Sequence, residues 1–347
     1  MLLVNDLSRQ TALLRPQIND AIRRVLDRGW YIHGPELEAF ESAFAAYLGT
    51  QHCVGVANGT DSLELALRAI GIGRGSRVAT VAIAGMYSTT AILACGATPV
   101  YVDILPDSTH MDLSQLPEAD AIIATHLYGQ MEPMPDVLAA AKGVPVIEDC
   151  AQAHGARLHG RAAGNWGKLG CFSFYPTKNL GALGDGGAVV TNHPDLAGRL
   201  RALRQYGWTG KYQAEIAGGR NSRLDEIQAA VLLAKLPHLD QWNTRRREIC
   251  GRYDFIGRPS IKSDVVHLYV LRTRKRDQLR QTLRNKSIGA EIHYPIPDYR
   301  QPAAGTTDHP RLPETERHCA EVLTLPCFPE MTDQEVAETR RAVIESL

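Results

Sequence analysis

Residues 144–154, VPVIEDCAQAH, form a short apolar run that ends on two carboxylates, Glu148 and Asp149, before small and polar residues take over. An apolar run of this length, rich in Val and Ile and followed by a polar break, predicts a buried strand over Val144–Glu148. Asp149 then stands at the carboxyl end of that strand, the edge at which open α/β sheets bind ligands. Similar runs lie on either side at Val78–Ile83, Val100–Ile104, Ala121–Leu127, Cys171–Phe174 and Ala188–Thr191. Helical patterns fall between several of them, at Ser62–Ile70, Ser88–Cys95 and Pro135–Lys142. Strand–helix alternation with near-continuously apolar strands predicts an α/β domain whose mostly parallel sheet is covered by helices on both faces.

The character changes after Arg223. A helical stretch carries Leu224, Ile227, Val231 and Leu236 and meets Pro237, and a second, Arg-rich stretch follows to about Tyr253. A strand at His267–Leu271, a polar helix at Asp277–Asn285, a Pro-rich loop at Tyr294–Pro302 and a last helix at Asp333–Glu345 complete the chain. With 347 residues, the sequence exceeds what one core usually organises. The expected division is a large domain over 1–236 and a smaller α+β domain over 237–347, with residues 1–15 able to pack on the smaller one. Lys plus Arg and Asp plus Glu number 38 each, so charge gives no case for nucleic acid or an anionic membrane as a partner. The start, MLLVNDLSRQ, does not read as a leader, and no stretch approaches a membrane span. The seven Cys form no C-x-x-C pair and no zinc-type set with His, so no metal is expected and reduced thiols in a cytoplasm are.

Three segments carry chemistry. Gly59-Thr60-Asp61 follows the apolar run Val54–Ala57 and precedes a helix. It reads either as a plain cap by Thr60 or as an anion site built from free N–H groups at a helix start. Asp149 reads either as a loop Asp capping Gln152 or Ala153, or as the partner of a protonated ring nitrogen. Ala151, if the chain stays extended, points to the same side and can floor such a ring. In SFYPTKNLGALGDGG (173–187) a strand runs into a turn that presents Ser173 and Lys178 together. Lys178 is either an exposed loop lysine or an amine held ready to form a Schiff base, with Ser173 donating to a phosphate.

Together with VANGTDSLELALRA, GATPVYVDI, HLYGQ, EDCAQAHGA, NSRLDEIQAA and HYPIP, these segments resemble the DegT/DnrJ/StrS sugar aminotransferases, in order and from about Leu7 to the last helix. The resemblance implies the aspartate-aminotransferase-like fold type I and the cofactor pyridoxal 5'-phosphate (PLP). It implies that Lys178 carries the cofactor and shuttles protons, that Asp149 pairs with the pyridine nitrogen, and that Gln152 bonds the ring hydroxyl. Gly59, Thr60, Asp61 (mainly through its backbone) and Ser173 would hold the phosphate. Asn221 would reach the phosphate of a neighbouring subunit, which implies a homodimer with shared sites; it also reads as a cap of the helix near Arg223. Tyr87 is the candidate ring over the cofactor, although the family's commonest pattern places an aromatic residue where Gly85 stands. Tyr31 and His33 in GWYIHGPE, and His293 and Tyr294 in HYPIP, are candidates to contact the substrate. A second departure is a shortened segment between Arg252 and His267.

The activity so implied is transfer of an amino group from L-glutamate to a nucleotide-linked keto-sugar, with a dTDP-3-keto-6-deoxyhexose ahead of a 4-keto sugar. The family's dehydratase variant replaces the lysine with His, whereas Lys178 is present here. A regulator that has lost the reaction would not need the Lys–Asp–phosphate set. A nucleotide-binding oxidoreductase would need a strand-to-helix glycine loop, but Gly71–Gly75 (GIGRG) follows a helix and precedes a strand. The Arg245-Arg246-Arg247 run reads as a solvated helix face or as a contact for a diphosphate.

Overall fold

The computed structural model describes residues 1–253, 265–305 and 311–347. The strands are β1 (His52–Val56), β2 (Arg77–Val81), β3 (Thr98–Val102), β4 (Ala121–Thr125), β5 (Val146–Asp149), β6 (Leu169–Ser173) and β7 (Gly187–Thr191). They form one seven-stranded sheet in the order β1-β7-β6-β5-β4-β2-β3. Pairing is parallel from β6 through β5, β4 and β2 to β3, while β7 runs antiparallel to both of its neighbours, β6 and β1. β5 lies at the centre. Every residue of β4, β5, β6 and β7 is buried, as a sheet covered on both faces requires. One face carries a core with Phe40, Phe44, Phe172 and Phe174, and the other a core with Leu65, Leu67, Ile123 and Val189.

The helices of this sheet are α1 (Leu7–Arg28), α2 (Pro35–Leu48), α3 (Gly59–Ala69), α4 (Tyr87–Ala94), α5 (Met134–Ala141), α6 (Pro194–Leu203) and α7 (Glu226–Lys235). α1 and α2 precede the first strand, outside the alternation that the sequence pattern follows. α1 buries Leu14, Ile18, Ala21 and Val25, a stripe at three- and four-residue spacing that packs on Val231 and Ala230 of α7. α2 begins at Gly34, where the buried Glu226 carboxylate accepts from the N–H groups of Gly34 (2.9 Å), Glu36 (2.9 Å) and Leu37 (3.0 Å). A Cβ at Gly34 would lie 2.7 Å from Glu226 Oε2, so glycine is what lets this carboxylate cap the helix.

α7 ends in a single turn at Leu236–His238, where Pro237 stands, and α8 (Leu239–Arg252) starts beyond it. A separate core then gathers Tyr253, Tyr269, Leu283, Leu323 and Phe328. It is built on the antiparallel pair β8 (Tyr269–Arg272) and β9 (Val322–Leu325) with α8, α9 (Arg276–Asn285) and α11 (Asp333–Ile344), and α10 (Pro313–Glu321) leads into β9. The N-terminal segment joins this unit. Leu2 N–H donates to Ser287 O (2.8 Å), Gly289 N–H donates to Leu2 O (2.7 Å), and Arg9 makes a two-pronged pair with Glu335. All seven Cys are free and buried. No helix among the described residues is long and apolar enough to cross a membrane. The segment between Arg252 and His267 lies mostly outside the described residues.

Arg9 lowers the Glu335 carboxyl from its ordinary value to about 2, chiefly by hydrogen bonding. The folded value lies below the unfolded one, so this pair stabilises the protein above the unfolded carboxyl range and the contribution is lost as pH falls through the folded value. Arg9→Met should therefore cost about 1 kcal/mol at pH 7, after allowing for solvent screening of a partly exposed pair. The cost should vanish near pH 2; urea unfolding at both pH values reads it.

Candidate active site

A cavity of about 1100 Å³ opens at the carboxyl edge of the sheet. That lies at the upper end of small-molecule sites, roughly 300–1000 Å³, and leaves room for a cofactor and a large second substrate. The large unit lines it with Gly59, Thr60, Asp61, Tyr87, Asp149, Ala151, Gln152, Ser173 and Lys178, and the smaller unit with His267, His293 and Tyr294.

The strand registers explain how distant segments meet there. Gly187 of β7 is paired with Val56 of β1 on one side and with Ser173 of β6 on the other. The chain beyond Val56 and the chain beyond β6 therefore emerge on either side of one glycine. A Cβ at Gly187 would run into the Asn58 carbonyl, so glycine permits the two to close up. A Cβ at Gly59 would in turn lie 2.6 Å from the Ser173 Cβ. The cap of α3 is Asn58 rather than Thr60: its side chain accepts from Asp61 N–H at 2.8 Å, and helical geometry begins at Gly59, earlier than the apolar periodicity suggested. Ser62 N–H bonds Asn58 O. With these donors engaged, the N–H groups of Gly59 and Thr60 are the first-turn donors left for an anion, beside the Ser173 hydroxyl. The Asp61 N–H is taken by the cap, and its carboxylate pairs with Arg220 at 2.9 Å.

Asp149 is buried, and burial raises its carboxyl above the ordinary value; the Ala151 N–H, Lys178 and His126 pull it back down. The chain does not stay extended after Asp149. It turns at once, and Asp149 Oδ1 accepts from Ala151 N–H at 3.1 Å, yet Ala151 still lines the cavity. Gln152 Oε1 accepts from Tyr128 N–H at 2.6 Å, which turns its Nε2 toward the cavity, 3.3 Å from the Tyr294 hydroxyl. Burial lowers Lys178 from the ordinary lysine value to about 8, with Asp149 acting in the opposite direction. A buried acid and a deprotonatable amine facing one cavity, next to a set of anion donors, fit the three recognition needs of PLP: ring nitrogen, aldehyde and phosphate.

Gly85 has a positive φ of 71°, and a Cβ there would lie 2.9 Å from the Tyr294 ring. Tyr294 thus occupies the space that an aromatic residue at position 85 would need. It meets Tyr87 edge-on, with ring centroids 6.1 Å apart. His293 Nδ1 pairs with Thr324 Oγ1 at 2.8 Å.

Three expected site residues do not line this chain's cavity. His33 Nε2 bonds Gln205 Oε1 at 3.1 Å, Asn221 forms a bridge with Gln205, and Tyr31 is exposed, its carbonyl accepting from Glu226 N–H. The Arg245–Arg247 run is committed elsewhere. Arg245 pairs with Asp333 at 2.8 Å, Arg246 is buried and donates to the carbonyls of His267 and Cys327, and Arg247 donates to Thr244.

Residue-by-residue reading overlooked the buried His126–Glu148 pair directly beneath Asp149, although both stand in quoted motifs. Their atoms, with Cys150, lie close enough to suggest a metal site. However, the Glu148 carboxylate already accepts from His126 Nε2 and from the N–H groups of Gly164, Trp166 and Gly167, while His126 Nδ1 accepts from Glu132 N–H. Those donors make the pair a brace for the strand end.

A lysine amine facing a buried carboxylate at the carboxyl edge of this sheet, with an anion cradle beside them, defines a PLP-dependent enzyme of fold type I. The chain belongs to the DegT/DnrJ/EryC1/StrS aminotransferase family, whose model matches residues 13–344. It is 44% identical to the dTDP-3-amino-3,4,6-trideoxy-alpha-D-glucose transaminase of Streptomyces venezuelae, over 98% of this chain and 94% of that protein. It is 43% identical to the dTDP-3-amino-3,6-dideoxy-alpha-D-galactopyranose transaminase of Aneurinibacillus thermoaerophilus, over 97% of each. The crystal structure of S. venezuelae DesV, in complex with a ketimine intermediate, superimposes with a TM-score of 0.93 at 43% identity, covering 98% of this chain and 96% of that one.

The Lys178 amine sets a kinetic expectation. Capture of PLP by the cofactor-free protein should accelerate as pH rises through about 8. A stopped-flow profile whose midpoint sits at the ordinary lysine value, about 10.4, would place the amine in water.

Proposed function

We propose that this enzyme transfers an amino group from L-glutamate to a dTDP-linked 3-keto-6-deoxyhexose, giving the 3-amino sugar. The observation that carries the reading is the Lys178 amine and the Asp149 carboxylate facing one cavity. The sugar class rests on the relatives above, whose printed names place the amino group at C3 of dTDP-linked deoxysugars. When bound, PLP supplies the aldehyde carbon that carries the amino group from donor to acceptor and a ring that accepts electrons during the transfer.

The chain's own residues do the rest. Lys178 Nζ would hold the cofactor and, as an amine whose proton affinity burial lowers from the ordinary lysine value to about 8, would take and return the proton at the reacting carbon. Asp149 keeps a positive charge on the ring nitrogen. Gln152, its oxygen fixed by Tyr128, would offer its amide N–H to the ring hydroxyl. The N–H groups of Gly59 and Thr60, with the Ser173 hydroxyl, hold the phosphate. Tyr87 and Tyr294, which line the cavity, would wall a bound ring, and His293 in the same lining would be offered to the sugar.

Tyr31, His33 and Asn221 stay outside this chain's own cavity. They gather on a face that also exposes Trp30 (54%), Tyr206 (44%) and Tyr212 (75%). A face this rich in exposed aromatic rings, carrying site residues with no site of their own, supports a homodimer in which each subunit completes the other's phosphate pocket through Asn221. The enzyme is expected to work in the cytoplasm, where its buried thiols stay reduced.

Two experiments test the reading. Purified protein should be yellow and lose that colour on adding L-glutamate, and the amine-loaded form should then convert dTDP-linked 3-keto but not 4-keto sugars. Preference for 4-keto substrates would move the amination site, and indifference to glutamate would end the transaminase reading. Lys178→Ala and Asn221→Ala proteins should each be nearly inactive, yet regain about a quarter of wild-type turnover once their subunits are exchanged, because half the dimers are hybrids and each hybrid has one intact site. No recovery on mixing would place Asn221 in its own subunit's chemistry.

A further inference from the structure

The turn that carries Lys178 is held on both sides by the smaller unit. On one side Asn5, from the N-terminal segment bound to Ser287 and Gly289, donates to Thr177 O at 3.2 Å. On the other side Asn179, 2% exposed, is the centre of a buried relay. Asn179 Nδ2 donates to Asn243 Oδ1 (2.8 Å) and to Val265 O (3.2 Å), and Asn243 Nδ2 donates to His154 O (2.8 Å). Asn179 Oδ1 meets His267 Nδ1 at 3.0 Å. None of these groups belongs to the set assigned above to cofactor or sugar.

Two backbone carbonyls decide the direction of every bond in this relay. His154 O and Val265 O can only accept, so the amide nitrogens of Asn243 and Asn179 must face them. The Asn179 oxygen is therefore the atom presented to His267, and His267 Nδ1 must donate. A flipped Asn179 would leave two buried acceptors without donors, at roughly 1–3 kcal/mol each. His267 is itself anchored, its N–H to Tyr128 O at 2.9 Å and its carbonyl to Arg246 at 3.2 Å, and its ring lines the cavity. Lys178 shares that cavity with Asp149 from β5, His126 after β4, and His267 and His293 from the smaller unit, and Asp61, Asp185 and Glu291 complete its charged lining; His154, buried against Phe172 and Phe174, and Arg246, behind His267, stand outside that lining. Burial keeps His154, His267 and His293 below their ordinary values, so they stand near the amine as neutral rings.

We propose that His267, acting through Asn179, is a positioning residue that holds the Lys178 turn closed against water and thereby sets the proton affinity of the Lys178 amine. Asn179 adjoins Lys178 in the chain, so each bond on its side chain restrains the lysine backbone directly. Loss of the His267 donor leaves Asn179 Oδ1 buried and unpaired. The turn then relaxes toward solvent and the amine becomes a stronger base. The inference rests on Lys178 being the cofactor lysine.

The test is the pH profile of PLP capture by cofactor-free protein, which reads the amine without turnover. His267→Leu should raise the midpoint by about one pH unit, a tenfold gain in proton affinity. His267→Asn places an amide N–H where Nδ1 was and should return the midpoint to within about 0.3 unit of wild type. Equal shifts in both variants would mean that the ring acts on Lys178 directly, and unshifted profiles would mean that it does not act; either overturns the relay. If His267→Leu fails to fold, Asn179→Ala carries the same expectation, and an unshifted midpoint there overturns the proposal as well. Wild-type protein that forms no borohydride-reducible bond at Lys178 would instead end the cofactor assignment itself.

Discussion

Two ionisable groups, the buried Asp149 carboxyl and the half-buried Lys178 amine, are held in one partly desolvated cavity at the edge of one sheet, and the remaining architecture serves that constraint. Burial moves them in opposite directions, the acid up and the amine down, while their mutual attraction restores part of each charge. In open solvent the amine would be almost wholly protonated at neutral pH and useless as a nucleophile or base. In full isolation the acid would lose its charge and could not hold a cation. The intermediate state, a wet cavity with desolvated walls, keeps both groups usable.

Topology supplies the pairing. β5 and β6 are parallel neighbours with Asp149 opposite Cys171, so β6 overshoots the acid by two residues, to Ser173, and the lysine turn folds back over it. β7 then returns antiparallel and draws the start of α3 against Ser173 across Gly187. One reversed strand thus joins Asp149, Lys178 and the free N–H groups of Gly59 and Thr60, which stand far apart in the chain. The His126–Glu148 brace keeps the end of β5 from fraying where Asp149 meets the cavity.

Features set by local sequence were legible from the start. A strand that ends in Asp149, a turn with Lys178 and trailing glycines, and a helix behind Gly59 are short-range patterns. Features set by long-range contact were not. Asn58 as the cap, Gln152 oriented by Tyr128, and Tyr294 in the space above Gly85 all depend on chain segments brought together by the fold. Ala151 shows the same limit at short range: extended geometry was assumed, whereas the Asp149 side chain itself bends the backbone. α1 and α2 escaped strand-centred reading because their signal is a helical stripe anchored on α7.

The smaller unit takes part in the cavity itself. It supplies His267, His293 and Tyr294 to the cavity wall and holds the N-terminal segment whose Asn5 reaches Thr177. A lysine at a sheet edge, covered by its own domain alone, would face solvent across the opening. Desolvation of Lys178 is therefore a property of the docked pair of units rather than of the sheet that bears the residue. It follows that the amine's base strength and the closeness of the two units are linked: whatever loosens one raises the other. That linkage gives a physical reason for the lysine turn to be tied by side-chain hydrogen bonds to the partner unit on both sides, where packing within one domain would have sufficed for stability alone.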